Sequence, residues 1–74
     1  MTAVQKVELA KRLKLFRKDN DLTQGELAVK LQVSTPTVNK YETGELTPSL
    51  NVAAKYADIF EKSLDEVYGR IPAK

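Results

Sequence analysis

The chain has no cysteine, no histidine and no tryptophan among its 74 residues. Without cysteine it forms no disulfide, and without cysteine and histidine it lacks the ligands of the usual zinc sites, so we expect no metal and no cofactor. An enzyme is not expected either. A nucleophile or general base would have to be a carboxylate or a lysine, and acidic pairs such as Asp65-Glu66 are explained by helix capping or surface exposure.

The sequence also lacks a long apolar run. No segment approaches the roughly 18 to 20 apolar residues that a membrane span requires, and the N-terminus has no apolar core of a signal peptide. We therefore expect no membrane contact and a cytoplasmic location, and no small-molecule ligand is evident. The length suits one small domain, which we place at residues 1–69, followed by a short tail at 70–74.

Charge is unevenly distributed, although the formal net charge is only +2. Residues 1–18 contain six basic side chains and one acidic side chain, whereas residues 19–46 contain two basic and five acidic ones. A basic first helix is suited to contact phosphates, but an ordinary solvated helix face explains the same pattern.

Apolar spacing and capping residues predict five helices and no strand. The first helix should run from Ala3 to Asp19, because Leu9, Leu13 and Phe16 follow the spacing i, i+4, i+7. Capping boxes open the second and fifth helices, at Thr23-Gln24-Gly25-Glu26 and Ser63-Leu64-Asp65-Glu66.

The third and fourth helices are predicted from their flanking residues. Ser34 is a good N-cap and Gly44 a good terminator, so the third helix lies between them. Thr47-Pro48 is expected to open the fourth helix, as an N-cap followed by proline in the first helical position. Its inner stripe is predicted to be Leu50, Ala53, Ala54, Ala57 and Phe60.

The second and third helices are joined by only three residues, Gln32-Val33-Ser34. Two short helices with so tight a corner form a helix-turn-helix, whose second helix enters the major groove of DNA. The predicted fold is therefore all-α, a compact five-helix domain. The predicted function is sequence-specific binding of double-stranded DNA.

The third helix offers a short polar face once Val38 and Tyr41 are turned toward the core. The candidate base-reading residues on this face are Thr35, Pro36, Thr37, Asn39 and Lys40. Lysine can donate to guanine and asparagine can pair with adenine, while the methyls and the proline ring can pack on thymine. Gln24 lies in the first turn of the second helix, where free N–H groups favour a phosphate. For all of these residues, an ordinary polar surface is the alternative.

Glu42 would be repelled by phosphates unless a cation neutralised it. It lies next to Tyr41, at the edge of the buried face, and Arg17 at the end of the first helix is the candidate partner. A bidentate arginine–carboxylate pair would also fix the first helix against the third.

A homodimer on DNA is expected, because one small domain makes few contacts with an operator. The candidate interface consists of apolar residues near the C-terminus, namely Ile59, Val67, Tyr68 and Ile71. The alternative is that Val67 and Tyr68 only close the core.

A series of motifs between Leu13 and Tyr68 resembles the Cro/phage-repressor (Xre-type) helix-turn-helix family of transcriptional regulators. The motifs are Leu22-Thr23-Gln24, Glu26-Leu27-Ala28, Leu31, Val33-Ser34, Val38, Glu42, Gly44, Pro48-Ser49-Leu50 and Ser63-Leu64-Asp65-Glu66. The resemblance implies a five-helix domain of the phage-repressor type that binds operator DNA, usually as a homodimer, and we expect a repressor. It also implies the Arg17–Glu42 pair.

The family's site residues map onto matching positions of this chain. The base readers correspond to the polar face of the third helix named above. The DNA phosphate contacts correspond to Thr23 and Gln24 at the start of the second helix, and to the backbone near Thr43 and Gly44. The family scaffold also serves antitoxins, antirepressors and coactivator-like proteins, so a protein-interaction module is the alternative function.

The chain departs from the family at four positions. Asp21, Gln32 and Glu61 stand where relatives commonly have glycine, so each is expected to adopt a positive φ if the usual geometry holds. Glu45 stands where many relatives carry a basic residue that grips phosphate, which predicts weaker backbone affinity from this loop.

Overall fold

The computed structural model describes residues 2–70 of the chain, and this part is folded into five helices. They are α1 (Ala3–Asp19), α2 (Gln24–Leu31), α3 (Thr35–Thr43), α4 (Leu50–Phe60) and α5 (Leu64–Tyr68). The all-α prediction and the bounds of α1 are confirmed. Most of the predicted tail lies outside the described residues. None of the helices within residues 2–70 is both long and apolar enough to cross a membrane.

Each helix begins at a hydroxyl side chain that accepts a backbone hydrogen bond. The predicted capping boxes at Thr23 and Ser63 are present, and Thr2 forms a third at the start of α1. In the α2 box the hydrogen bond from the Thr23 backbone N–H lowers the pKa of the Glu26 carboxyl group. Each helix start is thus stabilised by local hydrogen bonds within three residues of its cap.

The predicted start of α4 is wrong by two residues. Ser49, not Thr47, is the N-cap, and its Oγ accepts a hydrogen bond from the backbone N–H of Val52 at 3.3 Å. Pro48 is buried in the connection before the helix instead of opening it. Serine and threonine are similarly good caps, so the packing of Pro48 selects between the two candidates.

The inner face of α4 also differs from the prediction. Ala53, Tyr56, Ala57 and Phe60 are buried, with the spacing i, i+3, i+4, i+7 of one helix face. Leu50 is 64% exposed because the helix begins there, one turn beyond the core. Ala54 is half-buried, since it lies about 100° around the helix from Ala53.

The core is a single cluster to which all five helices contribute. Its buried members are Leu9, Leu13, Leu27, Ala28, Leu31, Val38, Tyr41, Ala53, Tyr56, Ala57, Phe60 and Val67. The aromatic rings tie three helices together: Tyr56 lies 6.4 Å from Tyr41 and 6.1 Å from Phe60, and Phe60 lies 5.9 Å from Phe16. α3 packs most extensively against α1 and α2, and Thr35, Pro36, Asn39 and Lys40 on its outer side are exposed.

All three non-glycine positions expected to have positive φ do have it. The φ angles are 55° at Asp21, 62° at Gln32 and 55° at Glu61, and they are the only such non-glycine residues in the described chain. Each ends or follows a helix, where the left-handed conformation lets the chain turn away. A side chain in this conformation costs about 1–2 kcal/mol.

Replacing Glu61 with glycine is expected to stabilise the fold. Glycine avoids the left-handed cost but loses more entropy on folding, so the net gain in unfolding free energy should be about 0.5–1 kcal/mol. Gln32→Gly should gain less, because the Oε1 of Gln32 accepts a hydrogen bond from Lys55 at 3.0 Å. Urea denaturation of both variants measures the difference. A larger gain for Gln32→Gly than for Glu61→Gly would contradict the explanation.

Candidate nucleic-acid interface

The corner between α2 and α3 is short and closed by hydrogen bonds. Gln32 ends α2 in the left-handed conformation, and the backbone N–H of Val33 donates to the Ala28 carbonyl at 3.0 Å. Ser34 then caps α3, accepting from the backbone N–H of Thr37. The predicted helix-turn-helix is therefore present, with its turn at the predicted residues.

A lysine that the sequence analysis did not select braces this corner from α4. The Nζ of Lys55 donates to the Leu31 carbonyl at 3.2 Å and to Oε1 of Gln32 at 3.0 Å. A cation at the C-terminus of a helix is favoured by the helix dipole. No local sequence signal identifies Lys55, because its acceptors lie 23 and 24 residues away in the chain.

The five candidate base readers lie together on α3, and four of them are exposed. Thr35, Pro36, Asn39 and Lys40 are open to solvent, and their i, i+4 relations align Thr35 with Asn39 and Pro36 with Lys40. Thr37 is half-buried, and its Oγ1 lies 2.7 Å from Oγ of Ser34. Asn39 and Lys40 thus have free polar ends, whereas the hydroxyl of Thr37 is engaged within the protein.

The candidate phosphate contacts are arranged at the edges of this face. Thr23 and Gln24 open α2, and a Cβ built on Gly25 would lie 3.8 Å from Oγ1 of Thr35, so α2 and α3 begin side by side. Thr43 and Gly44 lie at the opposite end of α3, where Gly44 has a φ of 85°. Free backbone N–H groups at the first turn of a helix suit an anion.

Several of these side chains already have partners inside the protein. Oγ1 of Thr23 accepts from the backbone N–H of Glu26, and Oγ1 of Thr43 donates to the Lys40 carbonyl. Nε2 of Gln24 donates to Oε1 of Glu42 at 3.1 Å. Donor groups of Gln24 and Thr43 are thus engaged within the protein, whereas the Thr23 hydroxyl only accepts and keeps its hydrogen to donate. Backbone N–H groups at the start of α2 and the Thr23 hydroxyl are therefore the better candidates for contacting phosphate.

Arg17 and Glu42 form the bidentate pair that the sequence suggests. Nε of Arg17 lies 2.7 Å from Oε2 of Glu42, and Nη2 lies 2.9 Å from Oε1. The side chain of Glu42 is only 1% exposed and that of Arg17 11%. The hydrogen bond to Glu42 raises the pKa of Arg17 above its ordinary value.

The pair is part of a larger network that satisfies both charged groups. Nη1 of Arg17 donates to the Leu22 carbonyl at 2.8 Å, while Gln24 supplies a third hydrogen bond to the Glu42 carboxylate. The network joins the end of α1, the start of α2 and the buried side of α3. It withdraws the acid at position 42 from the surface that the candidate base readers form.

Three of the four candidate dimer residues lie in the described part of the chain, and none of these three is fully exposed. Val67 is only 1% exposed and belongs to the core, so its assignment to an interface is wrong. Ile59 and Tyr68 are half-buried and pack against the core cluster, and Ile71 lies outside the described residues. Val67 is buried because α5 packs against α1 and α4 with this side chain facing the core.

Comparison with known proteins gives matches over most of the chain. A family described as helix-turn-helix matches residues 13–67. The chain is 36% identical over 64 residues to the cryptic phage CTXphi transcriptional repressor RstR of Vibrio cholerae, covering 86% of this chain and 57% of that repressor. The chain therefore spans little more than half the length of this relative.

Two archaeal relatives are closer to this chain in length. An uncharacterized HTH-type transcriptional regulator of Methanocaldococcus jannaschii is 39% identical over 57 residues, which are 77% of this chain and 86% of that protein. Another, from Archaeoglobus fulgidus, is 35% identical over 57 residues, covering 77% and 80% of the two chains. No solved structure matches the chain.

Glu42→Gln is expected to lower the unfolding free energy by about 3 kcal/mol, because it leaves the largely buried guanidinium of Arg17 without its counter-charge. Chemical denaturation followed by circular dichroism measures the loss. Glu45→Gln is the matched control: it removes the charge of an exposed carboxylate nearby and should change stability by less than about 0.5 kcal/mol. Equal effects of the two substitutions would contradict a structural role for the pair.

Proposed function

Because the chain belongs to the Xre/Cro-type helix-turn-helix family of DNA-binding transcriptional regulators, we propose that it represses transcription by inserting α3 into the major groove of an operator. Its family and relatives are transcriptional regulators rather than enzymes. Repression is proposed because the Vibrio relative, of which this chain spans little more than half, is a transcriptional repressor.

The observation that carries the proposal is the composition of the exposed face of α3. Thr35, Pro36, Asn39 and Lys40 are exposed, no acid occurs between residues 35 and 41, and the one acid of α3 is buried on Arg17. A short polar surface without negative charge can approach base edges between two phosphate backbones. In this proposal Lys40 donates to guanine, Asn39 pairs with adenine, and Thr35 and Pro36 pack on thymine methyl groups.

Thr37 has a different part in the same proposal. Its hydroxyl is engaged by Ser34, which leaves its methyl group as the portion suited to contact a base. The phosphates are held by the backbone at the start of α2, near Gln24, and at the end of α3, near Gly44. These contacts set the register of α3 on the duplex without reading sequence.

We further propose that two copies bind one operator with two-fold symmetry. A single α3 reads only a few base pairs, and dimers of helix-turn-helix proteins bind half-sites about 34–36 Å apart. An enriched palindrome in a binding selection would support this arrangement, and a single asymmetric half-site would contradict it.

Selection from random duplexes tests base reading directly. The unchanged chain should enrich a motif, and Lys40→Ala and Asn39→Ala should each relax the preference at one position, by about 1–3 kcal/mol. Lys30→Ala is the matched control, since it removes an exposed lysine of α2 outside the reading face. No enrichment at low salt, or equal effects of Lys30→Ala and Lys40→Ala, would contradict the proposed role of α3.

Glu45→Lys should strengthen DNA binding, because it replaces an acid beside the proposed phosphate contact at Gly44 with a cation. The plot of log affinity against log salt concentration should steepen by about one unit. Asp58→Lys is the matched control. It makes the same charge change on an exposed side chain near the C-terminal end of α4 and should leave this slope nearly unchanged. If the DNA affinity of the unchanged chain barely changed with salt concentration, the result would instead favour the protein-interaction function.

A further inference from the structure

A second stripe of side chains runs along α1 on the side opposite the core. Val4, Glu8, Lys11 and Leu15 follow one another at intervals of four, three and four residues, which is the spacing of a coiled-coil seam. At 100° per residue they fall within about 60° of the helix circumference, facing away from Leu13. All four are exposed, with Val4 at 67% and Leu15 at 56%.

A shallow groove of about 320 Å³ accompanies the N-terminal half of this stripe. It is lined by Ala3, Val4, Val7, Glu8 and Lys11. The last four have the spacing i, i+3, i+4, i+7, which is the set of four residues that receives a side chain from a facing helix in knobs-into-holes packing. Val7 adds apolar surface to the groove, being 47% exposed.

We propose that this stripe, the α1 seam, binds the α1 seam of a second copy in antiparallel orientation. Two-fold symmetry then places Val4 against the partner's Leu15 at both ends of the contact. At its centre, Glu8 meets the partner's Lys11 twice. The seam is therefore complementary to itself in charge and in apolar character, as an isologous contact requires.

The same residues disfavour a parallel pair. In parallel register Glu8 would face the partner's Glu8, and Lys11 would face the partner's Lys11, so like charges would meet at the centre of the contact. The charge order along α1 thus specifies both the occupant and its orientation. By contrast, Ile59 and Tyr68 are half-buried and pack against the core cluster.

The contact is small, so the dimer is a weak one. α1 has 17 residues and is about 25 Å long, and two helices of this length bury less than a standard protein interface. The association requires no DNA, and it is measured in the absence of DNA. A lack of self-association would therefore not contradict the proposed base reading by α3.

Sedimentation equilibrium up to millimolar concentration, with the full chain and no DNA, tests the proposal. The unchanged chain should show reversible dimerisation. Glu8→Lys and Lys11→Glu should each weaken self-association by at least about tenfold, because each places like charges together at the centre of the seam. Both positions are exposed, so the variants should keep the thermal stability of the unchanged chain.

Charge exchange provides the decisive comparison. An equimolar mixture of the Glu8→Lys chain and the Lys11→Glu chain should form a heterodimer, since each supplies the charge that the other lacks. The double variant Glu8→Lys/Lys11→Glu should self-associate like the unchanged chain. Lys30→Glu, which makes the same charge change as Lys11→Glu on an exposed position of α2, should not affect dimerisation.

Two results would overturn the proposal. One is a strict monomer at every concentration for both the unchanged chain and the mixture. The other is a dimer that persists in both single variants, which would place the contact on another surface of the protein. Binding of a palindromic operator by either single variant would then show that operator binding proceeds without the α1 seam.

Discussion

The buried ion pair between Arg17 and Glu42 holds α1 and α3 in one relative orientation. It fixes the end of α1 to the inner side of α3, and Gln24 and the Leu22 carbonyl complete its hydrogen bonds. Burying two charges costs several kcal/mol per ion unless the geometry and the additional hydrogen bonds compensate. Here both carboxylate oxygens and three guanidinium nitrogens have partners, so the pair specifies one orientation of α3.

This orientation has an electrostatic consequence for the surface. The only acid of α3 is turned inward and neutralised, while Asn39 and Lys40 remain at the outer face. Lys55 holds the corner from the opposite side by bonding Leu31 and Gln32. The interactions that hold α3 and the corner before it therefore lie outside the exposed face of α3, so the residues that stabilise this region differ from the proposed base readers.

The long helix α1 contributes to the molecule on two sides. Leu9 and Leu13 face the core, and Arg17 holds α3, whereas the α1 seam faces solvent. Apolar residues consequently occur on both sides of the helix, which blurs its amphipathic pattern. In a chain of this size, core packing leaves one full face of the longest helix available for another contact.

Features with local causes could be predicted from the order of the residues alone. Hydroxyl caps and their glutamate partners lie three residues apart, so Thr23, Ser34 and Ser63 were sufficient to predict where helices begin. The family resemblance was enough to predict which non-glycine residues have a positive φ. The need to neutralise Glu42 was enough to predict its pair with Arg17, which lies 25 residues away in the chain.

Where the sequence allowed several local options, packing between the helices selected one of them. Thr47 and Ser49 are both good caps, and the burial of Pro48 selected Ser49. Val67 suited either an interface or the core, and the packing of α5 against α1 and α4 placed it in the core. The bond from Lys55 to the corner had no sequence signal, because it joins groups more than twenty residues apart. Capping energies depend on neighbours in the chain, whereas burial depends on neighbours in space.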